Sequence, residues 1–221
     1  MPITAKAGAA SASISPRRPS WADMKKYYPD VSVQTPELYD SKIGGAFVKL
    51  YAQPGYQNTC AVRMSYALNR SGLKLPKAPS GASVQGGDNY IYWLRVIDLK
   101  AELARRFKGA DEELNLTVIP NSLLQDKEAM SAIFKTRVKE GQRFIDEKLN
   151  SKSGIVVFEV AGWGDATGHF TLWDGNSKKL SYADGHEQPG NNSYYFWLTR
   201  LNEAAKYSLV QVVKVKFWEL K

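Results

Sequence analysis

One thiol and two imidazoles make up the sequence's inventory of soft nucleophiles and neutral-pH bases: Cys60, His169 and His186. A lone Cys can form neither an internal disulfide nor a Cys-based zinc site, and two His leave any metal cage dependent on carboxylates. If Cys does chemistry here it is Cys60, served by His169 or His186, and such nucleophilic chemistry needs no metal and no organic cofactor. A free Cys is ordinarily a small buried hydrophobe, but the position of Cys60 argues otherwise. Asn58 and Thr59 are N-cap residue types, and the run CAVRMSYALNR places Ala61, Met64, Ala67 and Leu68 at helical spacing before Gly72 closes it. At a helix start, oriented N–H groups and the positive end of the dipole stabilise a thiolate, and the same amides can receive an oxyanion.

His169 is expected on a strand, where a lone His is ordinarily a hydrogen-bonded structural residue. Hairpin arithmetic gives it a partner. With the turn centred on Asn176 and Ser177, Trp173 faces Leu180, Thr171 faces Tyr182, and His169 faces Asp184. Directly opposed Cβ atoms lie roughly 4.5–5.5 Å apart, close enough for a carboxylate to hold an imidazole N–H. A slip of one residue would remove Asp184 from the His face. Asp174, with Gly175, reads as a turn former, and Asp165 stays an alternative if the chain folds back there. His186, beyond Gly185, is the other possible base, expected as a cleft-rim or surface residue. Gln57 and Asn58 are candidate oxyanion donors, and Arg63, one turn past the thiol, either meets a substrate carboxylate or satisfies an internal charge. Trp173 is a candidate substrate contact.

The elements that must position these groups divide the chain. Tyr39–Tyr51 reads as a helix weakened by Gly44 and Gly45, and Tyr90–Phe107 as the clearest amphipathic helix, with a loop at Lys74–Asp88 between them. After a broken helical stretch from Lys127 to Leu149 the period changes to short β-branched and aromatic runs: IVVFEV, GHFTLW, KLSYAD, YYFWL and LVQVVKVKFW. Helices followed by strands predict an α+β domain, here from residue 21 to residue 221. The first twenty residues, small, Ser/Ala-rich and Pro-broken, read as a flexible tail.

In a chain of 221 residues, 43% hydrophobic content suffices for a real core, and the balance of 30 Lys+Arg against 22 Asp+Glu gives +8. That charge suits an anionic partner: nucleic acid, an acidic membrane surface or a bacterial cell wall. No apolar run approaches the roughly 18 residues of a spanning segment, and no signal-peptide core follows Met1, so synthesis in the cytoplasm is expected. The pairs at 17–18, 25–26 and 105–106 form no dense basic tract, and Tyr194–Trp197 suits a core as well as a stacking platform. A nucleic-acid stripe is therefore the weaker account, retained as a basic anion-binding module against the enzymatic reading.

Three ordered blocks, NTCAVRMSYALNRSG around Cys60, NYIYWLRVIDL, and GHFTLWDG around His169, resemble the fourth family of type VI secretion amidase effectors, papain-like peptidoglycan peptidases of the NlpC kind. The resemblance spans roughly residues 44–197. It implies a papain-like domain and an antibacterial toxin, delivered to the periplasm of a rival cell and hydrolysing the γ-D-glutamyl–meso-diaminopimelate amide of the stem peptide. It places the nucleophile on Cys60, the base on His169 and the orienting acid on Asp184, with an insertion in the 174–180 hairpin. It also implies a type VI secretion apparatus and a cognate periplasmic immunity protein as partners. The same Cys-His chemistry on another amide, as peptidase or acyltransferase, is the enzymatic alternative.

Overall fold

The computed structural model describes residues 3–8, 10–14, 18–164, 166–183, 192–202 and 208–221. In chain order its elements are β1 (Ile3–Ala7), β2 (Ala10–Ile14), α1 (Trp21–Tyr27), α2 (Cys60–Arg70), β3 (Ser83–Gln85), β4 (Ile91–Trp93), α3 (Val96–Phe107), β5 (Glu112–Asn115), α4 (Lys127–Lys148), β6 (Gly154–Ala161), β7 (Gly168–Asp174), β8 (Lys179–Leu180), β9 (Thr199–Leu201) and β10 (Leu209–Glu219). Among the described residues the main sheet runs β5-β10-β6-β7-β8, with β9 also paired to β10, and its pairings are antiparallel. The α+β class expected from the change of period is the class observed.

The sheet is apolar on both faces because β6 alternates between two cores. Ile155 and Val157 join Phe170, Leu172 and Trp218 under α2 and α3, whereas Val156, Phe158 and Val160 join Trp173, Phe196 and Phe217 beneath α4. Truncating a fully buried aromatic of this kind costs about 3–5 kcal/mol, so these two clusters dominate the stability of the fold. Helix α4 approaches through Gly141, where an added Cβ would stand 2.6 Å from the Trp197 ring. It is one continuous helix rather than the broken stretch expected, capped by Asp126, whose carboxylate accepts from Ala129 N–H.

Other departures from the sequence expectation have local causes. The stretch expected as one helix from Tyr90 begins only at Val96, because Ile91–Trp93 pairs with Ser83–Gln85 inside the expected loop. Trp93 is fixed there by its backbone N–H to Ser65 Oγ (3.1 Å) and its indole N–H to Pro76 O (2.7 Å). YYFWL is not a strand but a 3₁₀ turn (Ser193–Trp197). In an extended chain the consecutive Tyr195 and Phe196 would point to opposite faces, whereas in the turn both rings pack on Phe158, at 4.8 and 5.1 Å between centroids. In the first twenty residues, where no element was expected, β1 and β2 form a hairpin sheet of their own. Arg18 bonds Asp111 and the carbonyls of Phe107 and Glu219, and Ser20 caps α1 by accepting from Asp23 N–H.

The helix expected over Tyr39–Tyr51 ends early, as a π-helical turn (Glu37–Ile43), because Gly44 and Gly45 take φ of +66° and +61°. Gly45 bridges Gly86, and a Cβ on Gly45 would lie 2.6 Å from the backbone nitrogen of Gly87. This close backbone contact anchors the segment that leads to Cys60. Gly45→Ala should therefore lose about 1–3 kcal/mol through the left-handed backbone alone, seen as a lower urea midpoint with an unchanged slope.

Candidate active site

Helix α2 starts at Cys60, and Thr59 before it caps without a side-chain bond to the helix amides. The Thr59 hydroxyl is used elsewhere, accepting from Arg63 Nε at 2.9 Å. Arg63, 2% exposed, points inward. One of its terminal nitrogens donates to Pro29 O and Asp30 O, both at 3.0 Å, and its guanidinium carbon sits 4.2 Å from the centre of the Tyr182 ring. Of the two roles considered for Arg63, substrate contact or internal partner, the described bonds take the internal one, running from Nε and one terminal nitrogen to a hydroxyl and two backbone oxygens.

On the other side of the site, β7 carries a fully buried His169, paired in register with Phe158 of β6. Its Nε2 lies 2.9 Å from the carbonyl oxygen of Tyr182. A carbonyl only accepts, so Nε2 donates, and the neutral ring then carries its lone pair on Nδ1. The imidazole stacks on the Tyr182 ring (5.7 Å, 26°) and leans on Tyr195 (5.0 Å). The Tyr182 backbone is itself pinned, its N–H donating to Thr171 Oγ1 at 2.8 Å, while Tyr28 Oη donates to Phe170 O at 3.3 Å. Burial pushes the Tyr28 phenol well above its usual range, which keeps it a neutral donor. The hairpin register follows the arithmetic, with Trp173 opposite Leu180 and Asp174 opposite Lys179. Asp174 is the turn former expected, accepting from Asn176 N–H at 3.0 Å and pairing with Lys25.

A cleft of about 830 Å³ opens between the two halves. Asn58, Thr59 and Cys60 form one wall, Leu94, Arg95 and Val96 another, and Trp163, Thr167 and Gly168 a third, with Arg200 also lining it. Cys60 and Gly168, the residue next to His169, therefore face one space. Gly168 is required there by a close approach, since a Cβ would fall 2.3 Å from Phe158 O. The described lining residues include two guanidinium groups and no carboxylate; Arg95 Nε lies 3.6 Å from Asp98 outside the cleft lining. Among the described residues no group of three or more His, Cys, Asp and Glu is arranged to hold a metal.

Of the other sequence candidates, Asn58 lines the cleft, while Gln57 is exposed beside it and not in its wall. Trp173 is corrected from substrate contact to core: it is fully buried, 5.2 Å from Phe196, with its indole N–H toward Leu149 O. Asp184, His186 and Asp165 lie outside the described residues. Tyr182, Arg95 and Arg200 were not singled out as site residues. The hairpin register that set Tyr182 opposite Thr171 was the available signal for the first.

A family model described as "Type VI secretion system (T6SS), amidase effector protein 4" matches residues 56–218. The chain belongs to this family. No curated protein matches it. As a type VI amidase effector it is similar in structure to the type VI effector–immunity complex Tae4–Tai4 from Enterobacter cloacae, at 26% identity and a TM-score of 0.61, covering 92% of this chain and 99% of that one. It is also similar to the effector–immunity system Tae4/Tai4 from Salmonella typhimurium, at 25% identity and a TM-score of 0.60, with 92% and 99% covered. No helix among the described residues of this amidase effector is long and apolar enough to cross a membrane.

Thr171 tests how firmly the site's backbone is held. Thr171→Val keeps the shape of the side chain but strands the Tyr182 N–H, which should cost about 1–3 kcal/mol, measurable by chemical denaturation against the native chain.

Proposed function

We propose that this amidase effector is an antibacterial toxin that hydrolyses the γ-D-glutamyl–meso-diaminopimelate amide of peptidoglycan stem peptides, with Cys60 as nucleophile and His169 as acid–base. The observation that carries this reading is the shared cleft, into which the first residue of α2 and the residue adjoining His169 both open. The Cys60 thiol passes its proton to His169, and Sγ attacks the amide carbon, forming a C–S bond and moving the carbonyl electrons onto oxygen. Helix-start amides, which have no intrahelical acceptors, and Asn58 receive that oxyanion. The oxyanion collapses, the C–N bond breaks, and the imidazolium of His169 gives its proton to the leaving amine. Neutral His169 then takes a proton from water, and the resulting hydroxide releases the acyl group from sulfur. Asp184, which the resemblance makes the orienting acid, lies outside the described residues, and the acceptor described at His169 Nε2 is the carbonyl of Tyr182.

The charge of the cleft supports an acidic peptide as substrate. Stem peptides carry free carboxylates, and Arg95 and Arg200 supply planar donors suited to them. Delivery by the type VI apparatus would place the toxin in the periplasm of a rival cell, and restraint of the producer's own copy would fall to a cognate immunity protein, as the Tae4–Tai4 complexes of similar structures suggest.

Purified muropeptides should be cut by the native chain and left intact by a folded Cys60→Ala variant, with product masses identifying the bond. Intact muropeptides after incubation with folded native protein would sink the reading, and cleavage at another amide would redirect it. Arg95→Gln and Arg200→Gln should each raise KM by about 5–50-fold, the loss of one charge-assisted contact of about 1–2.3 kcal/mol, with less effect on substrates whose carboxylates are amidated.

A further inference from the structure

We infer that Tyr182 is the positioning residue of this site, locking the tautomer of His169 through its backbone carbonyl while Arg63 of α2 holds its ring in place. The inference rests on the proposed role of His169 as acid–base. Tyr182 touches both halves of the site. Toward α2, its ring lies 4.2 Å from the Arg63 guanidinium carbon and its hydroxyl 3.4 Å from Thr59 Oγ1, on the residue preceding Cys60. Toward β7, its ring stacks on the imidazole and its carbonyl accepts from Nε2 at 2.9 Å. Its own N–H is held by Thr171 two residues along the strand from His169.

The guanidinium, phenol and imidazole thus form one stack, with Arg63 immobilised by three oxygens on its far side: Thr59 Oγ1, Pro29 O and Asp30 O. Arg63 and Tyr182 touch no substrate in this scheme. They fix how the imidazole is presented and how α2 stands relative to β7. With Nε2–H committed to a carbonyl, the neutral ring offers only Nδ1 as a base, so the proton that the thiol loses has one destination. A backbone carbonyl suffices for this, because tautomer selection needs an acceptor rather than a charge.

Three measurements test this. In the folded native chain, imidazole nitrogen resonances recorded where His169 is neutral should place its proton on Nε2; a proton on Nδ1 overturns the inference without any substrate. Tyr182→Leu should lower kcat about 10–100-fold at nearly unchanged KM, the scale of a misplaced catalytic group, and Tyr182→Phe, which keeps the ring, should recover most of that loss. A folded Tyr182→Leu variant with native kcat overturns it. Arg63→Met should lower kcat in the native background but by less than about twofold in the Tyr182→Leu background, because it acts through the ring; additive losses would remove Arg63 from the device. A native chain that cuts no muropeptide would end the proposed substrate, while the tautomer still reports on Tyr182.

Discussion

A guanidinium taken out of water governs how the two halves of this protein meet. Burying an ion costs several kcal/mol even after relaxation, and Arg63 is 2% exposed on α2. Three charge-assisted hydrogen bonds at about 1.5–3 kcal/mol each, with a desolvated cation–π contact of about 2 kcal/mol, are enough to offset that cost. They are enough only if all are made. The Pro29–Asp30 carbonyls, the Thr59 hydroxyl and the Tyr182 ring must therefore converge on one point. A merely apolar contact between α2 and the hairpin after β7 would tolerate sliding by an ångström; this one does not.

The sheet makes that convergence rigid. β7 sends Phe170 and Leu172 into the cluster that contains Cys60 and Ala61, and Trp173 into the cluster beneath α4. A strand fixed on both faces cannot rotate to relieve a strained side chain, so His169 is held by its neighbours before any hydrogen bond is counted. Gly168 extends the argument to the backbone. A Cβ there would drive into Phe158 O, which would open the β6–β7 ladder at the residue that flanks His169.

What the sequence revealed and what it hid follow from the kind of signal each feature leaves. The start of α2, the strand carrying His169 and the Trp173–Leu180 register were legible because period, cap residue types and a turn of fixed length are side-chain patterns. YYFWL was misread because strand and 3₁₀ turn share an aromatic composition, and only the two-sided packing of Tyr195 and Phe196 on Phe158 separates them. The helix from Tyr90 was drawn too long because Trp93, Val96 and Ile97 fit a helical stripe, although β3 offered Ile91–Trp93 a ladder instead. Arg63 was visible as a cation one turn past the thiol, but its carbonyl partners lie 33 and 34 residues upstream, beyond any local pattern. The acceptor at His169 Nε2 was less legible still. Every residue carries a carbonyl, so nothing in the identity of Tyr182 announces that its carbonyl is the one used.

Net charge is the feature whose meaning changes most between chain and structure. At +8 it could favour any anionic partner, but exposed charges interact over a Debye length of about 8 Å at physiological salt, so a total summed over the surface selects little. Much of it is also locally compensated, as where Lys214 and Lys216 straddle Glu113 and hold its carboxyl below the usual range. Selection belongs to charge that sits where a substrate must lie. Arg95 and Arg200 line the cleft that Cys60 opens onto, beside Leu94, Val96 and Trp163; both are exposed, so it is their position, rather than any loss of solvent screening, that sets them apart from the other surface charges. The basic character of the chain as a whole suits any anionic partner, whereas two arginines lining the same cleft as the thiol put positive charge at one defined place.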